Sequence, residues 1–201
     1  MIFDFDGTIA DSFSRFVVIS NKLAKEFNFR VLLPENVDEL RSKGSREVLR
    51  DLQIPLLKLP VILARAKKEF SDVMSEIQVF PGVKEVLFQL KEQNREIGLL
   101  TSNSLDNVHC FLESNELDFF DFLYTSSGLL GKKRQLKKVI DTHKFDVNEL
   151  LYIGDETRDI EASRNLGVRI ASVAWGYNTL QALKRLYPDY LINTPQDLLM
   201  V

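Results

Sequence analysis

From Phe80 to the end of the chain, short apolar runs alternate with longer amphipathic stretches. The apolar runs have the length of buried strands, whereas the stretches between them repeat their apolar residues with the period of an α-helix. Strands that alternate with helices pair in parallel, because each helix returns the chain to the same end of the sheet. The pattern therefore predicts an α/β fold, a Rossmann-like parallel sheet with helices on both faces. The strands expected after the first, IFDFD, are 96–100, 121–126, 150–155, 168–175 and 189–192.

Residues 13–79 have a different pattern, in which helical periodicity continues from one stretch to the next. No clear strand interrupts it, although VLLP fits either class of structure. We predict a small all-helical cap domain over 13–79, inserted into an α/β core domain formed by 1–12 and 80–201. The apolar positions of the inserted segment are interpreted as contacts between its helices rather than as a ligand site.

Composition and charge narrow the class of protein. The chain is 45 % hydrophobic and 27 % charged, as is typical of soluble globular proteins. Its net charge of −3 gives no general attraction to nucleic acid or to anionic membranes. A single cysteine, Cys110, excludes an intramolecular disulfide. Because the start is acidic and no apolar run is long enough to span a membrane, we expect a cytoplasmic protein, monomeric or homodimeric, without nucleic acid or membrane partners.

Polar side chains follow the predicted strands at the points where the strands end. Ligands of open parallel sheets bind beyond the carboxyl ends of the strands, so these side chains converge if strands one, two and four are neighbours. The candidates are Asp4, Asp6 and Thr8 after the first strand, Thr101, Ser102 and Asn103 after the second, Asp155, Glu156 and Asp159 after the fourth, and Lys132 and Lys133 at the helix after the third.

Asp4 and Asp6 lie one residue apart, and their mutual repulsion is costly in a buried site unless a cation lies between them. Carboxylate oxygens are ligands that Mg²⁺ prefers, so a metal among Asp4, Asp6 and Asp155 would remove the repulsion. In a strand that continued past Asp4, both side chains would face the same side. Lysine and hydroxyl groups suit a phosphoryl group, a carboxylate can act as its nucleophile, and a second carboxyl can transfer the proton. Each residue alone is common in turns or on solvated surfaces, and the prediction rests on their combination.

Four stretches in one order resemble the motifs of a known family, the haloacid dehalogenase-like (HAD) phosphohydrolases. FDFDGT resembles its first motif, D-x-D-G-T, and GLLTSN its second, an apolar strand that ends in Thr or Ser. LLGKK resembles the third, a lysine at a helix start, and YIGDETRD the fourth, G-D-x-x-x-D. The helical insertion resembles the family's small cap. The stretch SVAWGYNTLQALKRLYPDYLINTPQDLL resembles the tail of the phosphoglycolate phosphatase-like branch.

The resemblance implies specific catalytic roles. Asp4 would be the nucleophile and Asp6 the general acid and base. Lys132, preferred over Lys133 because it directly follows Gly131, would neutralise phosphoryl charge and orient Asp4. The phosphoryl oxygens would be bound by Thr101, with Ser102 or Asn103 in support.

The same resemblance implies a metal site and a substrate contact. Mg²⁺ would be bound by Asp4, by the backbone carbonyl of Asp6 and by Asp155, while Asp159 would hold either the metal shell or Lys132. Thr8 is grouped with the substrate-binding residues.

The inserted segment carries a basic stretch, RSKGSREVL, with Lys43 and Arg46 on either side of Gly44. One interpretation is a solvated loop followed by a helix that has Ser45 as its N-cap and Glu47 in its first turn. The alternative is that Lys43 or Arg46 lies over the active site and binds an anionic part of the substrate, as the resemblance suggests.

These observations together predict a Mg²⁺-dependent hydrolase of small phosphorylated metabolites that forms an aspartyl-phosphate intermediate. Phosphoglycolate is the first substrate that the tail suggests. One alternative is a phosphosugar mutase of the same superfamily, against which Thr8 argues, since mutases of this branch commonly have another residue there. A second alternative is a non-catalytic binding protein on the same scaffold, against which the intact set of polar residues argues.

Overall fold

Six strands of the computed structural model, which describes residues 1–125 and 131–201, form one sheet. The predicted strand 121–126 and the motif LLGKK extend beyond these ranges, because Ser126, Leu129 and Leu130 lie outside the described residues. The strands are β1 (Ile2–Phe3), β2 (Gly98–Thr101), β3 (Phe122–Thr125), β4 (Leu151–Gly154), β5 (Arg169–Val173) and β6 (Tyr190–Ile192).

All neighbouring strands are parallel, in the order β3-β2-β1-β4-β5-β6. The strand order reverses beside β1, which pairs with both β2 and β4. The condition that strands one, two and four are neighbours is therefore met, and the predicted α/β fold is confirmed. Because the three strands end at the same edge, the polar residues after them meet at the point where such sheets bind ligands.

The helices that follow residue 80 cover the two faces of the sheet, whereas the earlier ones belong to the inserted segment. In chain order the helices are α1 (Phe13–Phe27), α2 (Val37–Arg41), α3 (Ser45–Asp51), α4 (Leu59–Ser71), α5 (Val83–Glu92), α6 (Leu105–Ser114), α7 (Lys132–His143), α8 (Thr157–Arg164) and α9 (Leu180–Lys184). Short 3₁₀ helices lie at Pro34–Asn36, Leu56–Lys58, Met74–Glu76 and Pro195–Met200.

Alternation along the strands divides the core into two layers. Phe3, on β1, packs in the layer formed by α5, α6 and the last 3₁₀ helix, whereas its neighbour Ile2 packs in the layer formed by α7, α8 and α9. On β2, Leu99 and Leu100 divide in the same way. The helices therefore lie on both faces of the sheet, as predicted.

The described residues from 13 to 79 contain α1 to α4 and contribute no strand to the sheet. Ile19, Leu23 and Ile62 form a small apolar cluster of their own between α1 and α4. The two connections to the rest of the chain are paired with each other. The Asp11 N–H donates to the carbonyl of Gln78 at 2.9 Å, and the N–H of Phe80 donates to that of Ile9 at 3.0 Å. The division into two domains at 12 and 80 stays a prediction.

Local hydrogen bonds fix the starts of two helices. Ser104 is the N-cap of α6, and its hydroxyl accepts a hydrogen bond from the N–H of Asn107. At α3 the N-cap is Gly44 rather than the predicted Ser45, and the Glu47 carboxylate turns back to accept the N–H of Gly44. The chain after Pro195 forms a 3₁₀ helix.

Within residues 1–125 and 131–201, no helix combines the length and the apolar character that crossing a membrane needs.

Candidate active site

Asp4 lies directly after the central strand β1, where the chain turns away from the sheet. Its N–H still donates to the carbonyl of Ile153 on β4, at 2.8 Å, which fixes the residue between the two neighbouring strands. The strand does not continue through Asp6 as expected. Gly7 instead adopts a left-handed conformation, with φ of 82°, and the turn brings the chain back over the strand ends.

The Lys132 ammonium group joins two buried carboxylates. It lies at the start of α7, and its Nζ donates to Oδ2 of Asp4 and to Oδ1 of Asp159, each at 2.5 Å. Burial alone would lower the pKa of Lys132, but Asp159 and Asp4 raise it above its usual value. Lys132 is therefore a permanent cation beside Asp4, and Lys133 is exposed.

Asp155, at the end of β4, is fixed from two sides. The Thr8 hydroxyl donates to its Oδ1 at 2.8 Å, and the N–H of Tyr177 donates to its Oδ2 at 2.6 Å. A Cβ atom at Gly7 would lie 2.1 Å from Asp155 Oδ2, so only glycine leaves room for this carboxylate. Thr8, predicted to contact substrate, is buried and directs its hydroxyl to Asp155.

The three carboxylates form a cluster that can hold a cation. Among the described residues, ligand atoms of Asp4, Asp155 and Asp159 all lie within 4.8 Å of one another. Burial raises the pKa of Asp4 against the opposing effect of Lys132. Burial, with Glu156 and Asp4, raises the pKa of Asp155 well above its usual value. Because three carboxylates share one ammonium group, the cluster is short of positive charge, and its hard oxygen atoms suit a divalent cation.

Asp6 lies beside this cluster, and its side chain has separate partners. The Ser12 hydroxyl donates to Oδ1 at 2.8 Å and the Asn103 amide donates to Oδ2 at 3.1 Å. The Ser12 hydroxyl also lies 3.0 Å from that of Tyr177. Burial raises the pKa of Asp6, although both hydrogen bonds oppose the shift. A raised pKa suits a carboxyl group that gives up and takes back a proton.

The residues after β2 complete the polar surface. Thr101 is buried, and its hydroxyl accepts the N–H of Asn103 at 2.9 Å. The carbonyl oxygen of the Asn103 side chain accepts from the amide of Asn107 at 2.9 Å, which leaves its own amide to donate to Asp6. Ser102 lines the cavity described next.

A cavity of about 730 Å³ lies over these residues, enclosed by α1 to α4 on the other side. Its floor includes Asp6 and Asn103, and most of the remaining wall is apolar. The volume is in the upper part of the range, about 300–1,000 Å³, that is usual for pockets that bind small molecules. The cavity thus has a polar end at Asp6, Asn103 and Glu156 and an apolar end among the helices.

Of the two basic residues expected over the site, Lys43 reaches the cavity and Arg46 does not. Lys43 lines the cavity, but its Nζ is paired with Glu39 at 2.6 Å and with Asp51 at 2.7 Å. Arg46 is exposed on α3 and is not part of the cavity wall. Of the two interpretations of this basic stretch, the geometry favours a solvated loop and helix start for Arg46.

The contacts between the helical segment and the strand ends were not anticipated from the sequence. Arg41 donates to the carbonyls of Gly176 and Tyr177, at 2.7 and 3.1 Å, and its guanidinium lies 5.0 Å from the centre of the Phe13 ring. The amide of Asn178 donates to the carbonyls of Arg41 and Lys43, at 2.8 and 2.9 Å. The signal available in the sequence was the stretch W-G-Y-N, which contains Gly176, Tyr177 and Asn178.

Comparison with known proteins places this arrangement in a family. Residues 1–173 match the family described as haloacid dehalogenase-like hydrolase. A phosphoglycolate phosphatase of Synechococcus elongatus is 34 % identical over 99 % of this chain and 94 % of that protein. A pyrophosphatase of Bacillus cereus is 27 % identical over 62 % of this chain and 60 % of that protein.

The fold also recurs among solved structures. A haloacid dehalogenase-like family hydrolase of Streptococcus pneumoniae superposes with a TM-score of 0.82 at 19 % identity, covering 99 % of this chain and 95 % of the other. At that identity the likeness concerns the fold.

Proposed function

This chain belongs to the haloacid dehalogenase-like hydrolase family and is a phosphatase, and we propose that it hydrolyses small phosphate monoesters through a phosphoaspartate at Asp4. One observation carries the proposal. The Asp4 carboxylate is buried at the end of the central strand, 2.5 Å from the Lys132 ammonium group and within 4.8 Å of two further carboxylates. Such a group is fixed beside a cation and lies at the ligand-binding edge of the sheet.

In the first step, an oxygen of Asp4 attacks phosphorus and the bond from phosphorus to the leaving alcohol oxygen breaks. Asp6 donates its proton to that oxygen, so that the alcohol leaves neutral. In the second step, Asp6 takes a proton from water, whose oxygen attacks phosphorus and breaks the bond to Asp4. Inorganic phosphate is released and both carboxyl groups return to their starting states.

The remaining polar residues hold the phosphoryl group in place. Lys132 offers positive charge to the phosphoryl oxygens as well as to Asp4. Thr101 ends β2 and Ser102 and Asn103 follow it, where their hydroxyl and amide groups can donate to the same oxygens. Thr8 acts on Asp155 rather than on substrate in this proposal, because its hydroxyl is already donated.

We propose Mg²⁺ as the metal, held by Asp4, Asp155 and the backbone carbonyl of Asp6. Asp159 would serve Lys132 instead, since one of its oxygens accepts from that ammonium group and the other from the N–H of Glu156. When bound, Mg²⁺ would neutralise carboxylate and phosphoryl charge that repel each other.

The names of the relatives suggest which substrates to test first. Phosphoglycolate and pyrophosphate, the substrates in the names of two relatives, both carry a second anionic group beside the phosphoryl group. We propose phosphoglycolate as the first substrate, because the phosphatase of that name is similar over nearly the full length of the chain.

The test of the mechanism is Asp4→Asn, assayed for phosphate release with Mg²⁺ and after removal of metal with EDTA. We expect activity to fall by about 10³-fold or more, because asparagine keeps the shape but cannot form the intermediate. Asp118→Asn, at an exposed position, is the matched control and should retain activity. Full activity in Asp4→Asn would refute the proposed nucleophile.

A further inference from the structure

We infer that Lys67 selects substrates by binding a second negatively charged group beside the phosphoryl group, an inference that rests on the proposed phosphatase function. Lys67 lies on α4 and lines the cavity above the strand ends. The substrate class is therefore phosphate esters that carry a further carboxylate or phosphate.

A chain of hydrogen bonds fixes the backbone of Lys67 close to the reacting carboxylates. The side-chain nitrogen of Asn107 donates to the Lys67 carbonyl at 3.1 Å and to the Asn103 side-chain oxygen at 2.9 Å. Asn103 in turn donates to Asp6 at 3.1 Å. Three hydrogen bonds thus link the backbone of Lys67 to Asp6. The flexible four-carbon stem of Lys67 lets its ammonium group reach an anion held beside Asp6.

The other cations of the cavity wall are already engaged. Arg41 donates to two backbone carbonyls, Lys43 is paired with Glu39 and Asp51, and Arg158 is paired with Glu156. Within residues 1–125 and 131–201, by contrast, no carboxylate lies within ion-pair distance of the Lys67 ammonium group.

Two other cations of the inserted segment, Arg65 and Lys22, emphasise the difference. Arg65, two residues earlier, pairs with Glu69 at 2.6 Å, and Lys22 pairs with the same carboxylate at 2.5 Å. Glu69 therefore balances two cations, whereas Lys67, only half-buried, faces a cavity whose wall is mostly apolar. An unpaired charge there is costly, and a fixed anion is bound more strongly than in water.

The experiment compares three phosphate sources: phosphoglycolate, which has a carboxylate, inorganic pyrophosphate, which has a second phosphate, and p-nitrophenyl phosphate, whose body is neutral. Lys67→Met keeps the apolar stem and removes the charge. We expect the ratio of kcat/KM for an anionic substrate to kcat/KM for the neutral ester to fall by roughly 10- to 100-fold, mainly through KM. Lys67→Arg should restore most of the ratio. Of phosphoglycolate and pyrophosphate, the one whose ratio falls further in Lys67→Met carries the preferred anion.

Lys68→Met is the matched control, because Lys68 is the next residue on the helix, is exposed and does not line the cavity. Its ratio should not change. Equal losses of Lys67→Met on all three substrates would overturn the inference in favour of a structural role, and so would an unchanged ratio.

Direct binding separates this inference from the proposed function. In the Asp4→Asn background, calorimetry should show that Lys67→Met weakens phosphoglycolate or pyrophosphate by the same roughly 10- to 100-fold. If the parent chain releases phosphate from none of the three substrates, the proposed function fails, while this binding measurement still decides on Lys67. Undetectable binding, or binding that is unaffected by the substitution, would overturn the inference.

Discussion

The proton transfer that we propose for Asp6 depends on the neighbours of its side chain. Ser12 and Asn103 each donate to one of its oxygens, and burial raises its pKa. Asp6→Asn preserves the size of the side chain but removes the transferable proton. We expect kcat on phosphoglycolate to fall by about 10²- to 10⁴-fold. The fall should be smaller for p-nitrophenyl phosphate, because its leaving group departs without a proton. Hydrolysis of the phosphoenzyme intermediate then becomes the limiting step.

Rapid-quench assays with p-nitrophenyl phosphate measure this difference as a burst of nitrophenol and an accumulated phosphoenzyme. Asp11→Asn is the control, since Asp11 is exposed and follows the same turn. If Asp6→Asn reduced both substrates equally and gave no burst, Asp6 would not be the group that transfers the proton.

Single residues were predictable from the sequence where their position relative to a strand decides their role. Asp4, Thr101 and Asp155 each come directly at the end of a strand, so parallel pairing alone brings them together. Lys67 and Arg41 were not predictable in this way. Both lie on helices of the inserted segment, and their positions depend on how that segment packs over the sheet rather than on periodicity.

Helix α2 is attached to the strand ends mainly by its last residue. Arg41 donates to the carbonyls of Gly176 and Tyr177, and its own carbonyl accepts the N–H of Thr179 at 2.9 Å. Arg41→Met removes the first two hydrogen bonds and the charge over Phe13. We expect the segment to open more often, kcat/KM to fall by roughly tenfold and the N–H of Thr179 to exchange faster.

Hydrogen exchange by mass spectrometry, read at the peptides around 41 and 179, measures the opening. Arg50→Met on α3 is the control, because Arg50 is largely exposed and, within residues 1–125 and 131–201, forms its ion pairs with Glu47 and Asp51 of its own helix. Unchanged exchange at Thr179 in Arg41→Met would show that Arg41 does not hold the two elements together.

Elements were predictable where periodicity determines them and less so at their ends. The amphipathic period located α6 and α7 because one face of each is buried against the sheet. Local competition decides the ends: at α3 the Glu47 carboxylate accepts the N–H of Gly44, which makes glycine the N-cap in place of Ser45. After Pro195 the chain forms a 3₁₀ helix, at whose start Asp197 accepts the N–H groups of Asn193 and Thr194.

For the whole molecule, the buried carboxylates make stability depend on pH and on metal. Burial raises the pKa of Asp4 from 3.8 to about 7, and those of Asp6 and Asp155 also rise. Between pH 3.8 and about 7, the two pKa values of Asp4, the folded state therefore holds more protons than the unfolded chain. The free energy of unfolding of the metal-free protein therefore decreases as the pH rises through that window. We expect a lower Tm in EDTA at pH 7.5 than at pH 5.5.

Metal should reverse this dependence, because its ligands must be deprotonated. At a hundredfold excess over Kd, Mg²⁺ should raise Tm by roughly 5–10 °C at pH 7.5 and by much less at pH 5.5. Differential scanning calorimetry at the two pH values, with and without Mg²⁺, measures both effects. Asp155→Asn should lose the metal-dependent part, and an equal effect of Mg²⁺ at both pH values would contradict the assignment.

The paired connections at Ile9–Asp11 and at Gln78–Phe80 have a consequence for how such a chain can change over evolution. Because the inserted segment leaves and rejoins the core at one hydrogen-bonded point, its length contributes little to the entropy of closing the loop, about 0.6 kcal/mol for each doubling. We expect that a segment joined in this way can be replaced as a unit. We expect its replacement to leave Asp4 and its neighbours in place and to exchange Lys67, with the contact that we propose for the second anionic group of the substrate.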